Sequence, residues 1–227
     1  MPAITRLYLI RHGATVLTAE DRFAGSTNVQ LSDEGRAQAA ALAERLKNVP
    51  ISAVYASPMD RTVETAGIIA NPHGLELLHR EGLKEISHGH WEGLTRQEMT
   101  AAFPEEAAAW DEDPYTFAPE GGETGLQVTA RALPVIMDIF QAHRGQHVAI
   151  VSHKATIRLV LSSLLGFDPR RYRDNLDQSP CALNILDGRS PTCFRLALFN
   201  DTSHYARLDL GDTPPVSSQR LSSRWSA

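Results

Sequence analysis

Four short blocks of this 227-residue sequence combine histidine, arginine and glutamate in a way that suits chemistry on phosphate. They are Arg11-His12-Gly13, residues 56–66 with Arg61, residues 85–94 beginning at Glu85, and residues 151–158 with His153. Arg-His-Gly alone is an ordinary strand end followed by a flexible glycine, so the weight rests on the set. Phosphoryl transfer needs an in-line nucleophile and positive charge around the equatorial oxygens more than it needs covalent help. Imidazole titrates near neutral pH and so offers a neutral nitrogen as nucleophile. Arginine forks supply the charge bidentately. With two arginines and a second histidine present, no metal and no other cofactor is expected.

The elements that must position these residues can be read from periodicity and punctuation. Residues 4–10 and 147–152 are β-prone runs, the first ending at Arg11-His12-Gly13 and the second followed directly by His153. Residues 51–56 and 75–78 predict two further strands. Helices are expected over 34–47 behind a Ser32 or Asp33 cap, from Ser57-Pro58 to 69, over 126–143 and over 155–165. Pro134 should kink or split the third of these, and Gly166 should end the fourth. Residues 182–186 and 194–199 predict two late strands with a turn at Asp187 and Gly188. Strands alternating with helices imply an α/β fold, a mostly parallel, doubly wound sheet with helices on both faces. Ligands of such sheets bind beyond the carboxyl ends of the strands, where both histidines fall. Residues 1–212 read as a single domain with a lid-like insertion at about 93–125, rich in proline, glycine and acid. Residues 213–227 are rich in serine and proline and predict a poorly ordered tail.

Composition narrows the function. A formal net charge of −5 argues against a nucleic-acid partner and against a hold on acidic membranes. No apolar run approaches the roughly 18 residues of a membrane span, and residues 7–10 are too few for a signal-peptide core. Two cysteines, Cys181 and Cys193, make no disulfide framework, so the reducing cytoplasm is the expected location. A small-molecule phosphomonoester is the expected partner, and a homodimer is the default assembly.

Taken in order and spacing, the four blocks resemble those of the histidine phosphatase superfamily, the cofactor-dependent phosphoglycerate mutase-like proteins, across residues 4–205. The resemblance implies that His12 attacks phosphorus and becomes phosphohistidine. It implies that Arg11, Arg61 and His153 surround the phosphoryl oxygens, and that Glu85 protonates the leaving oxygen. Glu85 must hold a proton to do so; phosphate and burial would favour this, and the arginines oppose it. Gly13, Thr15, Thr18, Gly25, Ser26, Thr27, His88, Lys154 and His204 are the further candidates for substrate contact. Two of them depart from the family pattern. Lys154 stands where glycine is common, either as a further cation or pointing outward, and Thr18 stands where asparagine is frequent. His88 either lines the substrate side or is simply solvated. His204, with Asn200, has a structural hydrogen bond as its plainer reading. Trp91 and Trp110 read as packing residues. Glu123, after Gly121 and Gly122, reads as a carboxylate that opens the next helix.

The phosphatase branch is favoured over a mutase because mutase relatives carry extra basic residues in the lid. Here Arg96 is the sole cation of residues 93–125. A non-catalytic phosphate-binding module is the remaining rival, and the intact set of five residues argues against it. The glutamate block is similar to that of metal-independent phosphoserine phosphatases, so phosphoserine is the first expectation for the substrate, with sugar or glycerate phosphates next.

Overall fold

A computed structural model describes residues 3–20 and 22–206; the predicted tail at 213–227 lies outside them. Six strands form one sheet: β1 (Thr5–Arg11), β2 (Ile51–Ala56), β3 (Leu77–His79), β4 (His147–Ser152), β5 (Leu183–Ser190) and β6 (Cys193–Asp201). Their spatial order is β3-β2-β4-β1-β5-β6. The first four run parallel, and β5 and β6 are antiparallel additions on the far side of β1. The helices are α1 (Val16–Ala19), α2 (Asp33–Leu46), α3 (Asp60–Ala70), α4 (Arg96–Ala102), α5 (Pro104–Glu112), α6 (Gly125–Ala142), α7 (Lys154–Leu165) and α8 (Tyr172–Asn175).

Side chains alternate across a strand, so β1 feeds two cores. Tyr8 and Ile10 join Leu42, Val54, Ile69 and Val151 against α2 and α3. Leu7 and Leu9 join Ile136, Ile139, Ile150 and Leu161 against α6 and α7. A strand covered on both faces has no polar side to show, which is why residues 7–10 of β1 and 148–151 of β4 read as unbroken apolar runs. The expected α/β sheet with helices on both faces is the fold observed.

Four local expectations need correction. Helix α3 begins at Asp60 with Met59 as its cap, three residues later than expected. Ser57 still follows the strand, its N–H donating to Val151 O, and the residue before a proline resists helical geometry. Strand β3 starts at Leu77 because Leu75 is still closing the turn after α3, its N–H donating to Ala70 O. Pro134 does not split α6, which runs unbroken for 18 residues. Both Pro134 and Ala130, whose carbonyl it leaves unpaired, are exposed, so water can satisfy that group. Asp187 and Gly188 are not a turn: β5 continues through them to Ser190. Asp187 is instead the buried partner of Arg6 and Arg195. A Cβ at Gly188 would stand 2.5 Å from the Phe140 ring, so the glycine answers a packing demand.

Between β3 and α6 the chain forms short turns and the pair α4 and α5. Here Phe23, Trp91, Met99 and Trp110 make a separate small core. Trp91 is fully buried and Trp110 nearly so, as packing residues should be.

Candidate active site

Strands β1 and β4 deliver Arg11, His12 and His153 to one edge of the sheet. The rings of His12 and His153 lie 5.3 Å apart between centroids, at 60°. The nucleophile loop is held on both sides. His12 N–H donates to Ser152 O, Cys181 N–H donates to His12 O, and Gly13 N–H donates to the Thr65 hydroxyl. His12 Nδ1 lies 2.7 Å from Gly13 O. A carbonyl can only accept, so Nδ1 carries the proton and Nε2 keeps the lone pair. Burial, then Arg61 and Arg11, hold the His12 pKa well below that of free imidazole. The ring is therefore neutral in the unliganded protein.

His153 caps α7 and is fully buried, its Nε2 2.9 Å from the Ser57 hydroxyl. Burial, then Arg61 and His12, lower its pKa as well. Arg11 donates to Gln178 O at 2.7 Å, and burial brings its pKa to about 10 against the pull of Glu85. Arg61 is 1% exposed and donates to Gly25 O at 2.8 Å and Thr27 O at 2.9 Å. Burial lowers its pKa while Glu85 and Glu92 raise it. The Nε atoms of Arg11 and Arg61 are buried and find no partner among the described residues. Two buried guanidinium groups with a donor to spare beside two neutral imidazoles suit an anion.

Glu85 lies against the start of α7. Its carboxylate accepts from Ala155 N at 3.1 Å, Thr156 N at 3.2 Å and the Thr156 hydroxyl at 3.2 Å. Its main chain is fixed from the other side by Arg131. That guanidinium donates to Gly82 O, Lys84 O and Glu85 O, and holds Glu123 bidentately through Nε and Nη2. Glu123 also accepts from Ser87 N, and the cap of α6 is Thr124, so Glu123 anchors the glutamate segment rather than opening the helix.

The further candidates divide. Thr15 and Thr18 form a reciprocal cap on α1, with their hydroxyls 2.8 Å apart. One of the two hydroxyl protons is used within the pair, leaving one for a ligand. Ser26 and Thr27 hydroxyls donate to Glu92, and the carbonyls of Gly25 and Thr27 serve Arg61, so this loop holds the arginine. His88 is half-buried: it packs on Phe23 at 4.8 Å and on Trp91 and Trp110, and burial lowers its pKa. Lys154 is the first residue of α7, beside His153. His204 sits edge-on to Tyr205, 4.9 Å away, near Arg45 and Asp201. Burial, with Arg45 adding to it, brings its pKa to about 4. Asn200 accepts from Ser179 N at 2.7 Å, a structural bond. Among the described residues no three His, Cys, Asp or Glu side chains gather as a metal site, and both cysteines are free. No helix among them is long and apolar enough to cross a membrane.

The chain is similar to known proteins. The chain is 31% identical over 169 residues to phosphoserine phosphatase 1 of Hydrogenobacter thermophilus, covering 74% of this chain and 80% of that one. It is 32% identical over 170 residues to a glucosyl-3-phosphoglycerate phosphatase of Mycolicibacterium vanbaalenii, covering 72% and 75%. The solved structure of Bacillus stearothermophilus YhfR superposes with a TM-score of 0.83 at 30% identity, over 88% of this chain and 98% of that one. Residues 7–202 match the histidine phosphatase superfamily (branch 1), and this chain belongs to that family as a phosphatase acting on phosphomonoesters.

Proposed function

We propose that the enzyme hydrolyses a small phosphomonoester without a metal, through a phosphohistidine on His12. The observation that carries this is the His12 ring itself: neutral, buried between two arginines, with its Nδ1 proton committed to Gly13 O. The Nε2 lone pair forms the N–P bond as the P–O bond to the alcohol breaks. Glu85 gives its proton to the departing oxygen. Water then attacks phosphorus, the N–P bond breaks back to the imidazole, and the proton lost by water returns to Glu85. Arg11, Arg61 and His153 hold the equatorial oxygens while charge redistributes.

Phosphoserine is the first candidate substrate. The two named relatives act on phosphoserine and on glucosyl-3-phosphoglycerate, both of which pair the phosphate with a carboxylate on the leaving group. A mutase needs a lid that grips a second charged group, and Arg96 is already bound to Asp111 at 2.7 and 2.5 Å. The two free cysteines suit a reducing cytoplasm.

The test is phosphate release in EDTA from phosphoserine, 3-phosphoglycerate and sugar phosphates, with His12→Ala alongside. Release that survives EDTA and disappears in the variant is expected. Conversion of 3-phosphoglycerate to its isomer with a bisphosphate primer, and no net release, would replace this reading with the mutase.

A further inference from the structure

We propose that Glu92, which lies outside the phosphate pocket, is a positioning residue that sets the orientation of Arg61. Its carboxylate gathers five donors. Oε1 accepts from Ser26 N and the Ser26 hydroxyl, both at 2.8 Å, and from the Ser87 hydroxyl and His88 N, both at 3.2 Å. Oε2 accepts from the Thr27 hydroxyl at 2.6 Å. Burial alone would raise the Glu92 pKa, and the bonds from Thr27 and Ser26 outweigh it, so the group stays ionised.

What Glu92 holds matters more than how tightly. Residues 25–27 are a short loop whose Ser26 and Thr27 are exposed and belong to no helix or strand. Its two flanking carbonyls, Gly25 O and Thr27 O, take one nitrogen each of the Arg61 fork. An arginine fork is planar, so fixing both terminal nitrogens fixes the whole plane. The remaining donors, Nε included, then face whatever acceptor the pocket receives. A loop free to turn its carbonyls would leave Arg61 buried but misaimed. Gly25 belongs to the same device: it has φ +46°, and a Cβ there would stand 2.2 Å from Glu92 Oε1. The carboxylate is seated on the bare Cα of the loop it organises.

This inference rests on Arg61 binding the phosphoryl group, and the experiment separates the two claims. Four proteins are compared: wild type, Arg61→Ala, Glu92→Ala and the double variant. For each, inorganic phosphate affinity is read by calorimetry, kcat and KM with p-nitrophenyl phosphate, and thermal midpoint. Glu92→Ala is expected to weaken phosphate binding about 10-fold and lower kcat/KM roughly 10- to 100-fold, the scale of a misplaced catalytic group. The double variant is expected to be no worse than Arg61→Ala within about twofold, because Glu92 acts through Arg61. Glu92→Gln, whose amide oxygen can take the Oε1 bonds, should recover most of the loss.

Losses that multiply in the double variant would overturn the proposal, as would wild-type phosphate affinity in a folded Glu92→Ala. If Arg61→Ala itself binds phosphate as wild type does, the role of Arg61 falls and the proposal with it. Should Glu92→Ala not fold, Thr27→Val removes only the 2.6 Å bond. Phosphate affinity reduced severalfold at an unchanged thermal midpoint would support the proposal, and unchanged affinity would overturn it.

Discussion

Replacing Arg131 with methionine keeps most of the side chain's apolar stem and removes its fork, which makes it a clean probe of how Glu85 is held. Five hydrogen bonds disappear: three to the carbonyls of Gly82, Lys84 and Glu85, and two to Glu123. Lys84 O keeps the Thr156 hydroxyl at 2.7 Å, so Gly82 O and Glu85 O bear the loss. The Arg131 side chain is 24% exposed, so water compensates in part and each orphaned carbonyl costs about 1 kcal/mol rather than the upper figure. Adding the charge-assisted Glu123 pair brings the total to about 2–4 kcal/mol. For a chain of this size that lowers the thermal midpoint by roughly 5–15 °C.

The catalytic effect should be selective. The Glu85 carboxylate would still be tethered to the start of α7, but its main chain would no longer be pinned. A displacement of about 1 Å can cost around 100-fold where a proton must be delivered. An alkyl phosphate such as phosphoserine leaves as a strongly basic alkoxide and needs that proton, whereas nitrophenolate leaves without it. Arg131→Met should therefore lose about 100-fold in kcat on phosphoserine, or on the best alkyl substrate, and only a few-fold on p-nitrophenyl phosphate. Arg131→Lys, a point charge unable to span the same carbonyls, should fall between. Equal losses on both substrates, at a temperature where the variant is folded, would refute the reasoning.

Four further outcomes follow from the same geometry. His12, His88 and His153 all have pKa values lowered by burial, so the unfolded chain binds their protons first as pH drops; stability should decline below the free imidazole value of about 6.5, measured by denaturant midpoints across pH 5–8. Arg61→Met removes a cation that depresses His12, so any acid limb of kcat/KM that belongs to His12 should move to higher pH; a limb that stays fixed belongs to another group. Ser57→Ala leaves the buried His153 Nε2 without its hydroxyl and should lower kcat about 10-fold while costing about 1–3 kcal/mol of stability, read by steady-state kinetics beside calorimetry. Gly188→Ala drives a methyl into the Phe140 ring and should cost about 1–3 kcal/mol in chemical denaturation without altering KM.

The pocket's principal residues were legible because their chemistry shows in residue type and their placement shows in strand ends. His12 and His153 each follow a buried parallel strand, whose unbroken apolar run is among the plainer signals in a sequence. The groups that aim them were not legible. The bonds of Arg131, Glu92 and Gln178 that reach across the chain span 46 to 167 residues, and no local period marks such a pairing. Thr15 and Thr18 suggested ligand contacts when taken singly, and only their spacing as Ncap and N3 hinted that each would cap with the other. Asp187 and Gly188 misled because a turn signature and a packing glycine are the same letters, told apart only by Phe140 lying overhead.

The position of β1 in the sheet has a consequence for how this enzyme comes into being. Its neighbours are both distant in the chain: Tyr8 meets His147 across 139 residues, and Arg6 meets Asp187 across 181. During synthesis the strand that carries the nucleophile therefore leaves the ribosome before either neighbour and waits until β4 and β5 have emerged. Such non-local closure is slow, and it exposes an apolar strand in the interval. Activity cannot precede the emergence of β4 and β5, and nascent chains arrested before β4 should present residues 5–11 as a ready site for chaperone capture.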